Sequence, residues 1–142
     1  RYREELSRRV CGVVDDTPGE SQIPHARAAV DDVQKNVLLG QARAVVVPIQ
    51  WNEPFGIVFA EALACGTPVI SCPRGALPEI VRPGIDGFLI NSIEEGCEAV
   101  EHVGALDRAE CRHRVEELFS ADAVVARYLD LYAKVRARLA AT

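Results

Sequence analysis

The sequence predicts an α/β fold built on a parallel sheet flanked by helices. Three observations predict it. Short β-branched runs alternate along the chain with helical stretches, the pattern of strands joined by helical crossovers. Those runs are continuously apolar rather than alternating, as in strands covered on both faces. One helical stretch, residues 56–64, is apolar on nearly every side, which marks a buried helix.

The elements follow in order. Residues 1–14 read as a helix, or as a helix running into a strand at 10–14. Thr17-Pro18-Gly19-Glu20-Ser21 is a turn cluster. Residues 23–29 read as a short strand. Asp31 and Asp32 offer an N-cap to a helix over 33–42. Ala44-Val45-Val46-Val47-Pro48 is a buried parallel strand.

Trp51-Asn52-Glu53-Pro54-Phe55-Gly56 forms a loop, and the apolar helix 56–64 follows. It stops at Cys65-Gly66, with glycine just past the helix end. Pro68-Val69-Ile70-Ser71 is a second buried strand. A short helix over 78–81 is closed by Pro83-Gly84, and Asp86-Gly87 turns into a third strand, Phe88-Leu89-Ile90. Three helices complete the chain. Ser92 with Glu95 forms a capping box for the first, Asp107 with Glu110 resembles one for the second, and Ser120 caps the third. Val124, Tyr128, Leu131, Val135 and Leu139 recur at helical spacing in that last helix. They give it one core-facing stripe, so residues 120–142 are expected to pack back on the domain.

At 142 residues the chain is one domain or part of a larger one. Its 49% apolar content is that of a globular protein. No run of about 18 apolar residues exists to span a membrane as a helix. The net charge is −5, and no basic stripe interleaved with aromatics occurs; both argue against nucleic acid as a partner. The five cysteines form no C-x-x-C pair and read as reduced thiols of a cytoplasmic protein. No signal peptide opens the sequence. The three histidines show no metal-ligand spacing toward them, so neither a metal nor a cofactor is expected. Asp15-Asp16 and Asp31-Asp32 suit turn and N-cap roles better than a metal or phospho-acceptor site. The absence of methionine and the start at Arg1 suggest a piece of a longer product.

The chemistry lies in Glu53-Pro54-Phe55-Gly56-Ile57-Val58-Phe59-Ala60-Glu61. Glu61 is the only ionisable residue on the apolar helix. An unpaired buried carboxylate is very costly. Glu61 therefore pairs with an arginine, tilts toward solvent, or binds a ligand. Geometry favours the ligand: Glu61 is about 7–8 Å along the helix at 1.5 Å per residue, and helical side chains lean toward the N-terminus. Glu53 sits just before the helix. The amides of Phe55, Gly56, Ile57 and Val58 open it, and helix N-termini attract anions such as phosphate. Hydroxyls near both carboxylates with phosphate between them describe a nucleotide-sugar.

These residues resemble the E-x7-E motif of retaining GT-B glycosyltransferases, family four of the bacterial "group 1" enzymes. The flanks resemble its C-terminal donor-binding domain as well: Ala42-Arg43-Ala44-Val45-Val46-Val47-Pro48, Ala60-Glu61-Ala62-Leu63-Ala64-Cys65-Gly66-Thr67-Pro68-Val69-Ile70, Arg74-Gly75-Ala76-Leu77-Pro78-Glu79-Ile80-Val81 and Gly84-Ile85-Asp86-Gly87-Phe88-Leu89-Ile90. The likeness runs from about Asp31 to Tyr132.

The resemblance implies an incomplete Rossmann-like half of a GT-B fold over residues 1–142. It implies a nucleoside diphosphate-sugar as substrate rather than cofactor, and transfer of a hexose to an acceptor hydroxyl. Glu53 would lie beside the hexose as the catalytic candidate, with a binding role more usual. Phe55, Gly56 and Ile57 would hold hexose and diphosphate through their amides. Glu61 would take both ribose hydroxyls. Trp51 reads as loop packing before pocket wall. Gly75 reads equally as a turn glycine or an approach to the sugar, and Glu79 as a helix-start residue.

The Arg/Lys pair that neutralises the departing diphosphate has no counterpart here, and Arg74 and Arg82 occupy other places. The acceptor-binding N-terminal half is missing too. Self-association, or pairing with that missing half, is therefore expected, and the piece alone should be inactive. The rivals are a non-catalytic nucleotide-sugar binding module and a receiver-like domain. The second is weak, because the strand 44–48 ends in Pro-Ile-Gln instead of an acidic residue.

Overall fold

The structure, a computed structural model, describes residues 31–140. The elements expected before Asp31 lie outside the described residues. Asp31 caps α1 (Asp32–Gln41) with a reciprocal box: its carboxylate accepts from the Gln34 amide at 2.8 Å, and the Gln34 side chain accepts from the Asp31 amide at 3.3 Å. Then come β1 (Val45–Val47), α2 (Ile57–Ala64), β2 (Val69–Ser71), α3 (Leu77–Ile80) and β3 (Gly87–Leu89). A helix α4 (Ile93–His102), a 3₁₀ turn (Val103–Ala105), α5 (Arg108–Leu118) and α6 (Ala121–Ala140) complete the order.

The three strands form one parallel sheet in the order β1-β2-β3. Val45 faces Val69 and Val69 faces Gly87 in register. All three residues of β2 are buried, whereas those of β1 are half-buried. The reading of β1 as a fully buried strand is thereby corrected. Among the described residues β1 has a neighbour on one side only.

The core gathers Ile49, Phe59, Leu63, Val69, Ile70, Leu77 and Ile90 between sheet and helices. α2 lies against α5 and ends as its sequence dictates. Gly66 adopts φ +73°; its amide donates to Leu63 O and that of Thr67 to Ala62 O, which satisfies the last carbonyls. Arg112 donates to Ala64 O at 3.2 Å. Arg108 reaches across to Ala42 O, Gly40 O and the Thr67 hydroxyl at 2.7–2.9 Å. Two arginines of α5 thus tie down the ends of α1 and α2. At the far edge the buried Asp86 accepts from the Arg82 amide and guanidinium.

Ser92, Asp107 and Ser120 cap α4, α5 and α6. Glu95 does not close the expected box on Ser92; its carboxylate accepts from the Asn91 amide at 2.7 Å. α6 departs further from expectation. Its stripe is present but, past the half-buried Val124, faces water: Tyr128 is 55% exposed and Leu139 73%. No residue of α6 is buried. The core positions beside the sheet are already filled from α4, the 3₁₀ turn and α5 by Ala99, Val103 and Cys111. The helix therefore leaves the body, and Tyr128 and Tyr132 pack on each other with ring centroids 6.1 Å apart.

Candidate functional site

Parallel α/β sheets bind ligands beyond the carboxyl ends of their strands. The loops after β1 and β2 meet there. The β1 loop carries Trp51 and Glu53 into the start of α2. The β2 loop crosses its backbone, and the Ala76 amide donates to Glu53 O at 2.7 Å. Gly75 has φ +59°, and a Cβ on it would come within 2.1 Å of Glu53 O. Only glycine fits a positive φ and so close an approach. Gly75 is therefore more than a turn residue: it lets one loop clasp the other at Glu53.

The Glu53 side chain turns back on its own helix. Its Oε1 accepts from the Gly56 amide at 3.1 Å and the Phe55 amide at 3.4 Å. Its Oε2 accepts from the Trp51 indole at 2.9 Å. Trp51 is 56% exposed, so the packing reading of this residue is corrected: it acts through its N–H. The indole, then the Gly56 amide, hold the Glu53 carboxyl below the usual carboxylate range.

Two of the expected donor-binding amides, Phe55 and Gly56, are thus taken by Glu53. The amides of Ile57 and Val58 open the helix with no hydrogen-bond partner among the described residues. Gly56 enters the helix at φ +72°, and a Cβ on it would come within 2.3 Å of Ile80 Cδ1. α2 is not buried all round: Phe59, Ala62 and Leu63 face the core, while Ile57 is 68% exposed and Val58 45%, and Phe55 just before the helix is 77% exposed. That correction has a positional reason. The first turn of α2 lies at the open end of the sheet, where neither loop covers it.

Glu61 sits one turn deeper and half-exposed. Its partner is a lysine, not an arginine: Lys35 Nζ of α1 lies 2.8 Å from Oε1 and 3.1 Å from Asp32. These contacts, Glu61 first, raise the Lys35 ammonium above its ordinary value. No hydrogen bond or ion pair joins Glu61 to Glu53. Glu53, Phe55, Gly56 and Ile57 thus form one cluster at the mouth of α2, and Glu61 with Lys35 a second.

A family description, "Glycosyl transferases group 1", matches residues 28–117. The chain belongs to that family. The group 1 match encloses both carboxylates together with Lys35, Trp51 and Gly75. D-inositol 3-phosphate glycosyltransferases of Mycobacterium bovis (strain BCG / Pasteur 1173P2) and Mycobacterium tuberculosis (strain ATCC 25618 / H37Rv) are each 44% identical over 68 residues, 46% of this chain and 14% of theirs. The fold is similar to that of part of the GT-B sucrose-phosphate synthase of Thermosynechococcus elongatus. That structure superposes with a TM-score of 0.63 and 32% identity, over 78% of this chain and 30% of its own. The 68 matched residues span about a seventh of the curated relatives' length.

Among the described residues of this group 1 chain, no three His, Cys, Asp or Glu side chains converge on a common point. No described helix is long and apolar enough to cross a membrane. Cys65, Cys72, Cys97 and Cys111 are free thiols. Sequence reasoning missed Lys35 and the clasp at Gly75. The chain has only two lysines among its sixteen basic residues, a faint signal for Lys35. The Gly75 contact joins loops 22 positions apart and left no local trace.

Proposed function

We propose that the chain is the donor-binding part of a retaining hexosyltransferase that uses a nucleoside diphosphate-sugar. The observation that carries this reading is the mouth of α2. An exposed, apolar first turn opens at the carboxyl end of the sheet, with one carboxylate at its rim and a second one turn inside.

The Ile57 and Val58 amides suit the diphosphate, aided by the helix dipole. Glu61 accepts the ribose hydroxyls. Glu53 stays ionised, so it acts as a hydrogen-bond acceptor for hexose hydroxyls and not as a proton donor. Its negative charge also suits the positive charge that develops on the sugar in the transition state. In a front-face transfer the bond from C1 to the diphosphate oxygen breaks, and the acceptor oxygen bonds C1 on the same face. The acceptor proton passes to the departing diphosphate. Arg82 is committed to Asp86, so the cation that steadies this leaving group is sought in the rest of the enzyme.

A second reading, binding without transfer, is favoured by the commitment of Arg82 to Asp86. Calorimetric titration of the intact enzyme with UDP-, GDP- and ADP-glucose tests the common ground. Hydrogen bonds to charged groups are worth about 1.5–3 kcal/mol. Glu61→Ala should therefore weaken binding of the preferred donor by about 10- to 100-fold. Unchanged affinity would defeat the ribose assignment. Single-turnover transfer from the bound donor separates the enzyme from the binding module.

A further inference from the structure

Lys35 stands outside the two carboxylates and the helix mouth, yet it is the residue that grips Glu61. Its ammonium is held from two sides, by Asp32 at 3.1 Å and Glu61 at 2.8 Å. Asp32 and Lys35 share the first turn of α1, whose N-terminus is fixed by the Asp31 box. The cation is therefore anchored to a capped helix before it meets Glu61. It engages Oε1 alone; Oε2 accepts no hydrogen bond among the described residues.

The pair contributes little to stability as such. The two side chains are 32% and 36% exposed, and ion pairs this open to water are weak. Its effect on geometry is larger. A glutamate has three side-chain torsions, and on an apolar helix no other polar group restricts them. One short contact at Oε1 selects a rotamer and leaves Oε2, with the remaining lone pair of Oε1, for two hydroxyl donors.

We propose that Lys35 is a positioning residue for ribose recognition, holding the Glu61 carboxylate so that it takes the ribose diol of the donor nucleotide. The inference rests on Glu61 as the ribose ligand. It adds that preference for a ribonucleotide over its 2′-deoxy form depends on a residue of another helix.

The test is titration of the intact enzyme with UDP, GDP and ADP, each beside its 2′-deoxy counterpart. The wild type should bind the ribo form of its preferred nucleotide more tightly. Lys35→Met should reduce that preference by about three- to tenfold, within the range of coupling between contacting residues. Affinity for the deoxy form should change less than about twofold. Lys35→Arg should restore much of the preference. In a Glu61→Gln background, Lys35→Met should have no further effect. Equal losses for both nucleotide forms would reduce Lys35 to a structural role and overturn the proposal. So would a collapsed preference in Glu61→Gln that Lys35→Met leaves intact. A preference unchanged by Glu61→Gln would instead overturn the ribose reading, and the proposal with it.

Discussion

Glu53 shows how much a single residue's surroundings decide. The Trp51 indole and two helix amides converge on its carboxylate, and its proton affinity falls. A group depressed in this way supports its contacts above the ordinary carboxylate value and loses them as pH falls through the lowered one. Trp51→Phe keeps the ring and removes the N–H. The Glu53 titration midpoint should then move up toward the ordinary value, read by carboxyl carbon NMR. An unmoved midpoint would mean that the indole bond is not the main cause. The thiols differ mainly by burial. Cys111 is pushed up to about 11 and Cys72 upward, chiefly by burial. Maleimide at pH 8 should therefore modify Cys65 and Cys97 well before either; rapid loss of Cys111 from the folded protein would contradict that order. The two carboxylates were legible because an acid beside or within an apolar helix is conspicuous. The indole bond was not, since a loop tryptophan carries no mark of its partner.

Elements were legible where their chemistry is local. Asp31, Ser92, Asp107 and Ser120 cap the helices as read, because a cap is decided within three residues. The contacts between elements were less so. Gly75 read equally as a turn glycine or an approach to the sugar, and neither reading pointed to its fit against the Glu53 backbone. Gly75→Ala meets both a positive φ and the Glu53 backbone, whereas Gly84→Ala meets a positive φ of 78° with open space around it. Left-handed strain costs about 1–3 kcal/mol. Gly75→Ala should therefore lower the thermal midpoint of the intact enzyme more than Gly84→Ala does. Equal shifts would show that the clasp does not require glycine. α6 illustrates the opposite limit. Its periodicity was correct and its helix is real, but a stripe does not name the surface that covers it.

At the scale of the whole molecule, the half-buried β1 and the exposed stripe of α6 leave apolar surface that the described residues do not cover. Such edges promote pairing. Light scattering of the 142-residue chain should report a mass above 15.5 kDa, and a monodisperse monomer would contradict that. The group 1 family was legible because its motif and flanks are contiguous in sequence; the extent of burial was not, because an apolar strand or stripe does not name the surface that covers it. The central claim is that α2 presents its open turn and Glu61 to a nucleoside diphosphate. It is met most directly by a crystal structure of the intact enzyme with its preferred nucleoside diphosphate. The account places the ribose hydroxyls at hydrogen-bond distance from Glu61, about 2.5–3.0 Å, and a phosphate on the Ile57 and Val58 amides. A nucleotide bound with its ribose away from Glu61, or its phosphates away from the start of α2, would contradict it.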